Sequence, residues 1–316
     1  TPASGAAFHA QMRQRVLAQA GIHWWPRQID ARRLPGGGFE VKGEGAPSAL
    51  RVRQLVLAGG GFGADAELVA RFIPGMAGAL NNGSPTNNGS TLRLGLEWGA
   101  QVWGMDGYQG QGHTHPGGAT RLGMSIPTLG GLMLNRAGRR FVREDVGPSA
   151  LAPLVLAQAD GLALEVFDAA IEAQLGNHSA YQQARADGRV IEADSIAELA
   201  SRAGVDEVAL QATLDEAMRC AQGQAQDPLG RARFARVLQA PWRASWVTGA
   251  LSHTQGGLLT DEDGRVLGEN DRWIDGVYAV GGCAAGLSGR GADGYLPGNG
   301  LAQAFGLGWR LARALS

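Results

Sequence analysis

Three glycine-bearing turns near the end of this chain constrain its fold more than any other feature. Ser252-His253-Thr254-Gln255-Gly256-Gly257 follows a strand-like run, and Gly276-Val277-Tyr278-Ala279-Val280-Gly281-Gly282 ends another. Gly294-Tyr295-Leu296-Pro297-Gly298-Asn299-Gly300 then opens an amphipathic helix. Glycine leaves no β-carbon between the backbone N–H groups and a ligand, and a helix start adds partial positive charge. With the polar His253 just upstream, this pattern predicts a nucleotide cofactor beside a reaction site. Fifty of the 316 residues are glycine, about twice the usual share. They follow hydrophobic runs instead of forming a linker, which points to backbone–ligand turns.

The formal net charge of −1 gives no electrostatic case for nucleic acid or an anionic membrane as partner. No apolar stretch reaches the ~18 residues of a membrane span, and no signal peptide is visible, so the expected location is cytoplasmic. Cys220 and Cys283 lack metal-ligand spacing and read as two reduced thiols; no metal is expected.

The pattern along the chain predicts α/β structure, then a mixed α+β insertion, then α/β again. Phe8 to Ala20 reads as a helix, Gly21 to Trp25 as a short strand, and Phe39–Val41 and Ala49–Ala58 as further strands. The run Leu55-Val56-Leu57-Ala58 has the composition of a strand buried on both faces. Gly59-Gly60-Gly61-Phe62-Gly63 follows, and Asp65 starts a helix, Ala66–Phe72, that Pro74 and Gly75 stop. The loop 81–90 is polar, with Ser90 or Thr91 as the expected cap of a helix over Leu92–Trp98. A glycine-rich run, Tyr108–Gly118, carries His113 and His115, and Gly131–Val142 reads as a β-hairpin with an Ala-Gly turn. Elements over Leu151–Ala157 and Ala163–Phe167, two helices over 195–220 and a strand over Ala244–Leu251 complete the pattern.

Taken together, several segments resemble the FAD-dependent fumarate reductase/succinate dehydrogenase flavoprotein superfamily, in its soluble single-chain branch. Leu55–Gly63 with Ala64, Asp65 and Leu68 is similar to its strand, Ala-Thr-Gly-Gly-Phe-Gly, helix element. Asn135–Val142 with Glu144 is similar to its Asn-x-x-Gly-x-Arg-Phe-Val-x-Glu hairpin. His253-Thr254-Gln255-Gly256-Gly257 matches His-Thr-x-Gly-Gly, and Gly276–Gly281 matches Gly-Leu-Tyr-Ala-Ala-Gly. The resemblance implies a partial FAD-binding Rossmann-like domain of α/β class, in a first part over 1–84 and a second over 246–316. Between them it implies an inserted α+β capping domain over 85–245. The βαβ unit with the G-x-G-x-x-G turn that cradles the FAD pyrophosphate in the family has no match here. The chain therefore reads as a partial sequence or a natural remnant, and FAD binding by this chain alone is expected to be weak or absent.

The resemblance also implies site residues. For the cofactor FAD they are Ala58, Gly59, Gly60 and Gly61; Gly256 and Gly257; Gly281 and Gly282; and Gly298, Asn299, Gly300 and Leu301. His253 stands where the family places a substrate-binding histidine. His115-Pro116 is similar to the family's His-Pro segment, whose histidine contacts a substrate carboxylate; His113 takes that place if the loop shifts. Arg140 reads as structural, paired with an acidic residue such as Glu144. The family's proton-donating arginine falls near Pro148, which cannot donate a proton, with Arg143 close by. Its carboxylate-clamping arginine falls at Asp293-Gly294-Tyr295, with Arg290 displaced, so fumarate reduction proper is not expected. Gly282 replaces an acidic residue that hydrogen-bonds the flavin's ribityl chain. The segment Gly294–Gly300 is similar instead to one in 3-ketosteroid dehydrogenases, where the tyrosine hydroxyl and a glycine N–H polarise a ketone. That makes Tyr295 the expected carbonyl activator and Gly300 its backbone partner.

The expected function is hydride transfer between flavin N5 and a C–C bond α,β to a carbonyl or carboxylate, by a dehydrogenase or enoate reductase. His253, Tyr295 and His115 are the expected catalytic residues, with a small carbonyl or carboxylate substrate and an unidentified electron partner. A 3-ketosteroid-type dehydrogenase is the alternative within enzymes. A non-catalytic remnant unable to hold FAD is the alternative outside them.

Overall fold

The computed structural model describes residues 4–25, 29–43, 48–118, 122, 125–176 and 178–316. The chain divides into two compact units, Thr1–Leu55 with Asp275–Val277, and Val56–Ile274 with Tyr278–Ser316.

In the smaller unit a helix, Ser4–Leu17, precedes an antiparallel sheet of Ile29–Arg33, Phe39–Gly43 and Leu50–Val52, with Phe39–Gly43 in the middle. Phe39, Val41 and Gly43 are buried while Lys42 between them is exposed, the period-2 pattern of a strand with one covered face. The strand expected at Gly21–Trp25 does not form. Trp25 is spent on packing: its ring lies where a β-carbon on Gly43 would sit, 2.8 Å away. The single strand expected over Ala49–Ala58 is likewise two, Leu50–Val52 and Leu55–Leu57. Val56 is 40% exposed, so the second is not buried on both faces.

The larger unit is organised by one 13-residue strand, Trp242–Thr254. Its first half pairs antiparallel with Ile191–Ala193 and with Leu162–Asp168, which in turn pairs with Leu132–Leu134. Its second half pairs with Leu80–Asn81 in parallel and with Tyr108–Thr114 antiparallel. The main core lies against the first half, where Leu134, Leu164, Phe167, Tyr181, Leu210 and Val247 are all fully or almost fully buried. Buried apolar area of this kind contributes about 25 cal/mol per Å², so this half anchors the strand that delivers His253 at its other end.

Local chemistry explains the flanking helices. Asp65 caps Ala66–Phe72 by accepting the Leu68 N–H at 3.0 Å, Ser195 caps Ile196–Ala203 at 3.2 Å, and Asp206 caps Glu207–Ala221 at 2.7 Å. The helix expected over Leu92–Trp98 spans Ser90–Glu97, and its cap position is Gly89, not Ser90 or Thr91. Gly89 donates its N–H to the Gly61 carbonyl at 3.1 Å, which ties the polar loop to the first glycine turn. The hairpin after Leu132–Leu134 closes through the Asn135 N–H on the Arg139 carbonyl at 2.8 Å. Its return arm is a single bridge at Arg140, because the Arg140 side chain turns into an ion cluster with Glu144 and Asp227. Among the described residues no helix is long and apolar enough to cross a membrane, and no group of three metal-ligating side chains occurs.

Candidate functional site

Two glycine turns meet back to back. The Val280 N–H donates to the Leu57 carbonyl at 3.0 Å, which sets the ends of two strands side by side. Beyond them, a β-carbon on Gly282 would lie 2.9 Å from the Gly61 nitrogen, closer than real side chains come. One on Gly61 would collide with Thr254 Oγ1. One on Gly60, whose φ is +81°, would collide with Asn87 Oδ1. The Thr254 hydroxyl accepts the Phe62 N–H at 3.1 Å and so fixes the first turn to the end of the long strand. The result is a wall made of peptide edges.

The 17-residue helix Asn299–Leu315 starts against this wall, with Gly298 (φ +83°) in the cap position and no acidic residue in its first turn. Asn299 is buried and donates to Gln255 Oε1 at 2.8 Å and to Ser288 Oγ. Gln303 donates to the carbonyls of Ala284 and Ala285 at 3.1 and 2.9 Å. Side-chain amides thus hold the helix start, with the unpartnered N–H groups of its first turn, beside the second glycine turn and the residues that follow His253.

Between wall and helix lies a cavity of about 400 Å³, lined by Gly60, Gly61, Asn87, Gln109, His253, Gln255, Gly282, Tyr295, Gly298, Asn299, Gly300, Leu301 and Ala304. His253 is half-buried with its ring under the helix start, where a β-carbon on Gly300 would be 3.5 Å from Nε2. Burial pushes the imidazole below its ordinary pKa, so at neutral pH it is an uncharged hydrogen-bonding group. Its Nδ1 is buried with no partner, as is the Gln255 Nε2. Among the described residues the Tyr295 hydroxyl has no hydrogen-bond partner either.

The structure brings together His253, Tyr295, Gly60, Gly61, Gly282, Gly298, Asn299, Gly300 and Leu301, and leaves the other sequence-predicted residues off the cavity lining. A β-carbon on Gly256 would collide with the Gly104 and Met105 backbone, and one on Gly257 with Cys283 and Ala284, so both serve close backbone packing. Gly59 lies against Thr91, Ala58 is exposed, and Gly281 faces Ala304. His115 accepts the Gly117 N–H at 3.0 Å; burial, and then Arg189, push it below its ordinary pKa. Arg140 pairs with Glu144 at 2.8 Å, as expected. Arg290 is 73% exposed and pairs with Asp106 at 3.0 Å.

Sequence reasoning did not single out Asn87, Gln109 or Ala304. Only their placement reveals them: Asn87 by the close approach to Gly60, and Gln109 by lying opposite His253 in the ladder. Chemically, the cavity offers uncharged donors, peptide edges and a helix N-terminus. That donor set fits the hydroxyl-bearing, anionic chain of FAD: the orphaned Gln255 amide and the side-chain-free wall both await a polar ligand lying close to the backbone.

Comparison with known proteins agrees with this reading. The family model described as the FAD binding domain matches residues 8–301. The chain is 28% identical over 274 residues to an NADH:acrylate oxidoreductase of Vibrio harveyi, covering 84% of this chain and 27% of that protein. It is 26% identical over 241 residues to a fumarate reductase (cytochrome) of Shewanella frigidimarina, covering 76% of this chain and 42% of that one. The chain therefore spans less than half the length of these curated relatives. In fold it is similar to the open conformation of a flavocytochrome c3 fumarate reductase (TM-score 0.80, 22% identity, 99% of this chain and 55% of that one). It is also similar to a 3-ketosteroid Δ1-dehydrogenase from Sterolibacterium denitrificans (TM-score 0.68, 24% identity, 92% and 58%). With nearly the whole chain matched, it belongs to the FAD binding domain family, whose cofactor is FAD.

Proposed function

We propose that this protein is an FAD-dependent oxidoreductase acting at a C–C bond α,β to a carbonyl or carboxylate, as a dehydrogenase or an enoate reductase. The observation that carries the reading is the single cavity that unites the glycine wall, the helix N-terminus, His253 and Tyr295 in a chain of this family. FAD, when bound, supplies the hydride chemistry at flavin N5. The peptide edges of Gly60, Gly61 and Gly282, the N–H groups of Gly300 and Leu301, and the Gln255 amide hold the cofactor. His253 and Tyr295 donate hydrogen bonds to the substrate oxygen, where developing negative charge is stabilised. Segments 1–84 and 246–316 form the partial FAD-binding domain, and 85–245 caps the substrate. A small carbonyl or carboxylate compound is the substrate, and a separate electron partner completes the turnover.

A fumarate or acrylate reductase among the relatives supports an enoate as substrate. The 3-ketosteroid dehydrogenase reading is favoured by one observation, the unpartnered Tyr295 hydroxyl in the cavity. Both outrank fumarate itself, because Arg290 is tied to Asp106 at the surface and Pro148 stands where a donor is needed.

The test is to express the full reading frame, purify it with added FAD, and record flavin absorbance. Oxidation of reduced methyl viologen by crotonate, 2-cyclohexen-1-one and fumarate is then followed without oxygen. Retained flavin with turnover of either of the first two is the expected result. A protein that stays colourless with added FAD overturns the proposal.

A further inference from the structure

Two cavities open along the strand Tyr108–Thr114. One, of about 580 Å³, is lined by His113, Glu144, Pro148 and Arg231 among others and holds none of the residues assigned to the cofactor. The other is the candidate site itself, which the strand reaches through Gln109.

The opposite face of the strand fixes where Gln109 points. Ser149, in the helix Pro148–Leu156, accepts the Gly110 N–H on Oγ at 3.2 Å, and the Tyr108 hydroxyl donates to the Ser149 carbonyl at 3.2 Å. A β-carbon on Gly110 would lie 3.0 Å from Ala152, and one on Gly112 2.8 Å from Leu151. With residues 108, 110 and 112 facing that helix, the alternation of a strand turns Gln109 the other way. An irregularity brings His253 to the same face. Leu251 pairs with Gly110 and His253 with Gln109, so the long strand carries one extra residue, Ser252, between the two pairs. A bulge of that kind re-aims a side chain. Directly opposed residues hold their β-carbons about 4.5–5.5 Å apart, so the Gln109 amide stands beside the imidazole.

Only two of the described lining residues, Asn87 and Gln109, come from the segment 85–245 that is proposed to cap the substrate. Asn87 belongs to the wall, with its Oδ1 against Gly60. The Gln109 amide has no hydrogen-bond partner among the described residues. None of the described lining residues is an acid, a lysine or an arginine, and burial holds His253 below its ordinary pKa. An uncharged amide therefore stands where a cation would select a carboxylate.

We infer that Gln109 is the specificity-determining residue of this site: its amide hydrogen-bonds the substrate, not the cofactor, and its lack of charge sets the preference for a neutral carbonyl compound over a carboxylate. The inference rests on the proposed function and narrows its substrate class.

The experiment uses the full reading frame loaded with FAD and the same oxygen-free assay. Gln109→Leu lowers kcat/KM for 2-cyclohexen-1-one by roughly 2- to 10-fold, the loss of one neutral hydrogen bond. Gln109→Lys raises the crotonate-to-cyclohexenone ratio of kcat/KM by about tenfold, the margin of a charged over a neutral hydrogen bond, and Gln109→Glu lowers that ratio. Gln111→Leu, two residues along the same strand and off the lining, leaves the ratio unchanged, and flavin absorbance is retained throughout. In a second arm, which needs no turnover, cyclohexanone and butyrate are titrated into the flavin-loaded proteins by calorimetry, and their Kd ratio shifts in the same order. Ratios that do not move with the charge at position 109 overturn the inference. So does loss of flavin in Gln109→Leu while Gln111→Leu stays yellow, because Gln109 is then a cofactor ligand. A colourless wild type refutes the proposed function and the inference with it. A yellow wild type that turns over neither probe refutes the proposed function alone, and the titration then decides: a Kd ratio insensitive to position 109, or binding of neither ligand, overturns the inference.

Discussion

Removing the Glu144 carboxylate is expected to destabilise the larger unit by about 3–5 kcal/mol, the usual penalty for breaking a buried ion pair. Glu144 is fully buried and accepts four hydrogen bonds. Two come from Arg140 at 2.8 Å each, one from Arg231 Nη1 at 3.0 Å and one from the Met133 N–H at 3.2 Å. The arginine side chains are 3% and 2% exposed. Charged hydrogen bonds contribute about 1.5–3 kcal/mol each, so a plain sum overshoots the pair value. Relief comes from the partners that remain. In Glu144→Ala, Arg140 keeps Asp227, Arg231 keeps its three carbonyls, and the adjoining cavity admits water. At roughly 2–4 °C per kcal/mol for a unit of this size, Tm falls by on the order of 10 °C. The exposed pair Arg136–Asp160, at 2.7 Å with exposures of 46% and 67%, is the internal control, because such pairs contribute about 0–1 kcal/mol. Urea unfolding of wild type, Glu144→Ala and Asp160→Asn measures both. A Glu144→Ala unfolding free energy within about 1 kcal/mol of wild type would falsify the view of Arg140 as a structural cation.

Gly282→Ala pushes a β-carbon against the Gly61 nitrogen, a backbone atom that cannot swing aside. A loss of about 1–3 kcal/mol and weaker FAD binding are expected; unchanged Tm and flavin absorbance would show that the turns separate freely. Burial holds His253 below its ordinary pKa, so as pH falls below about 6.5 the unfolded chain takes up the proton first and stability is lost. His253→Gln should therefore flatten the decline of Tm between pH 7.5 and pH 5.5, and equal slopes would remove His253 from the account. His115, shifted the same way, continues to contribute in that variant. Tyr295→Phe removes a hydroxyl that has no protein partner among the described residues. Tm should stay within a degree or two, while turnover of 2-cyclohexen-1-one drops by tenfold or more; unchanged turnover excludes the hydroxyl from carbonyl activation.

What could be read in the sequence was what short-range chemistry decides. Asp65 and the helix after it follow from a cap and an apolar repeat within a few residues, and the glycine turns follow from what a β-carbon would block. Residues 21–25 misled because two tryptophans look strand-like, whereas Trp25 packs on Gly43 with no ladder partner. Gly89 at a helix cap was not foreseeable, because its reason lies across the fold at the Gly61 carbonyl. The same holds for the site. His253 and Tyr295 carry local signals, but Asn87 and Gln109 enter only through pairing and close approach. The buried His113–Glu165 pair is the extreme case: His113 was visible only as a stand-in for His115. Its partner Glu165 is 52 residues away, so no local signal joins the two.

The two cavities are connected by the same strands. Tyr108–Thr114 places Gln109 in one and His113 in the other, and those residues are separated by about 13 Å at the rise of an extended chain. Its partner, Trp242–Thr254, carries His253 at the cofactor end and a fully packed core at the opposite end. On the proposed assignment, His253 reaches the substrate oxygen from a strand and not from a loop. Rigid elements hold such constellations more tightly than loops do. On that assignment the groups offered to the substrate are a neutral imidazole and a phenol, in place of the two arginines that the resemblance implies. Neutral hydrogen bonds contribute about 0.5–1.5 kcal/mol against about 1.5–3 for charged ones. A site built this way discriminates little in favour of a second carboxylate and depends on shape and on the developing charge of the transition state. It follows that turnover of a neutral enone should be nearly independent of ionic strength, whereas a site clamping a dicarboxylate through exposed arginines would weaken as salt rises.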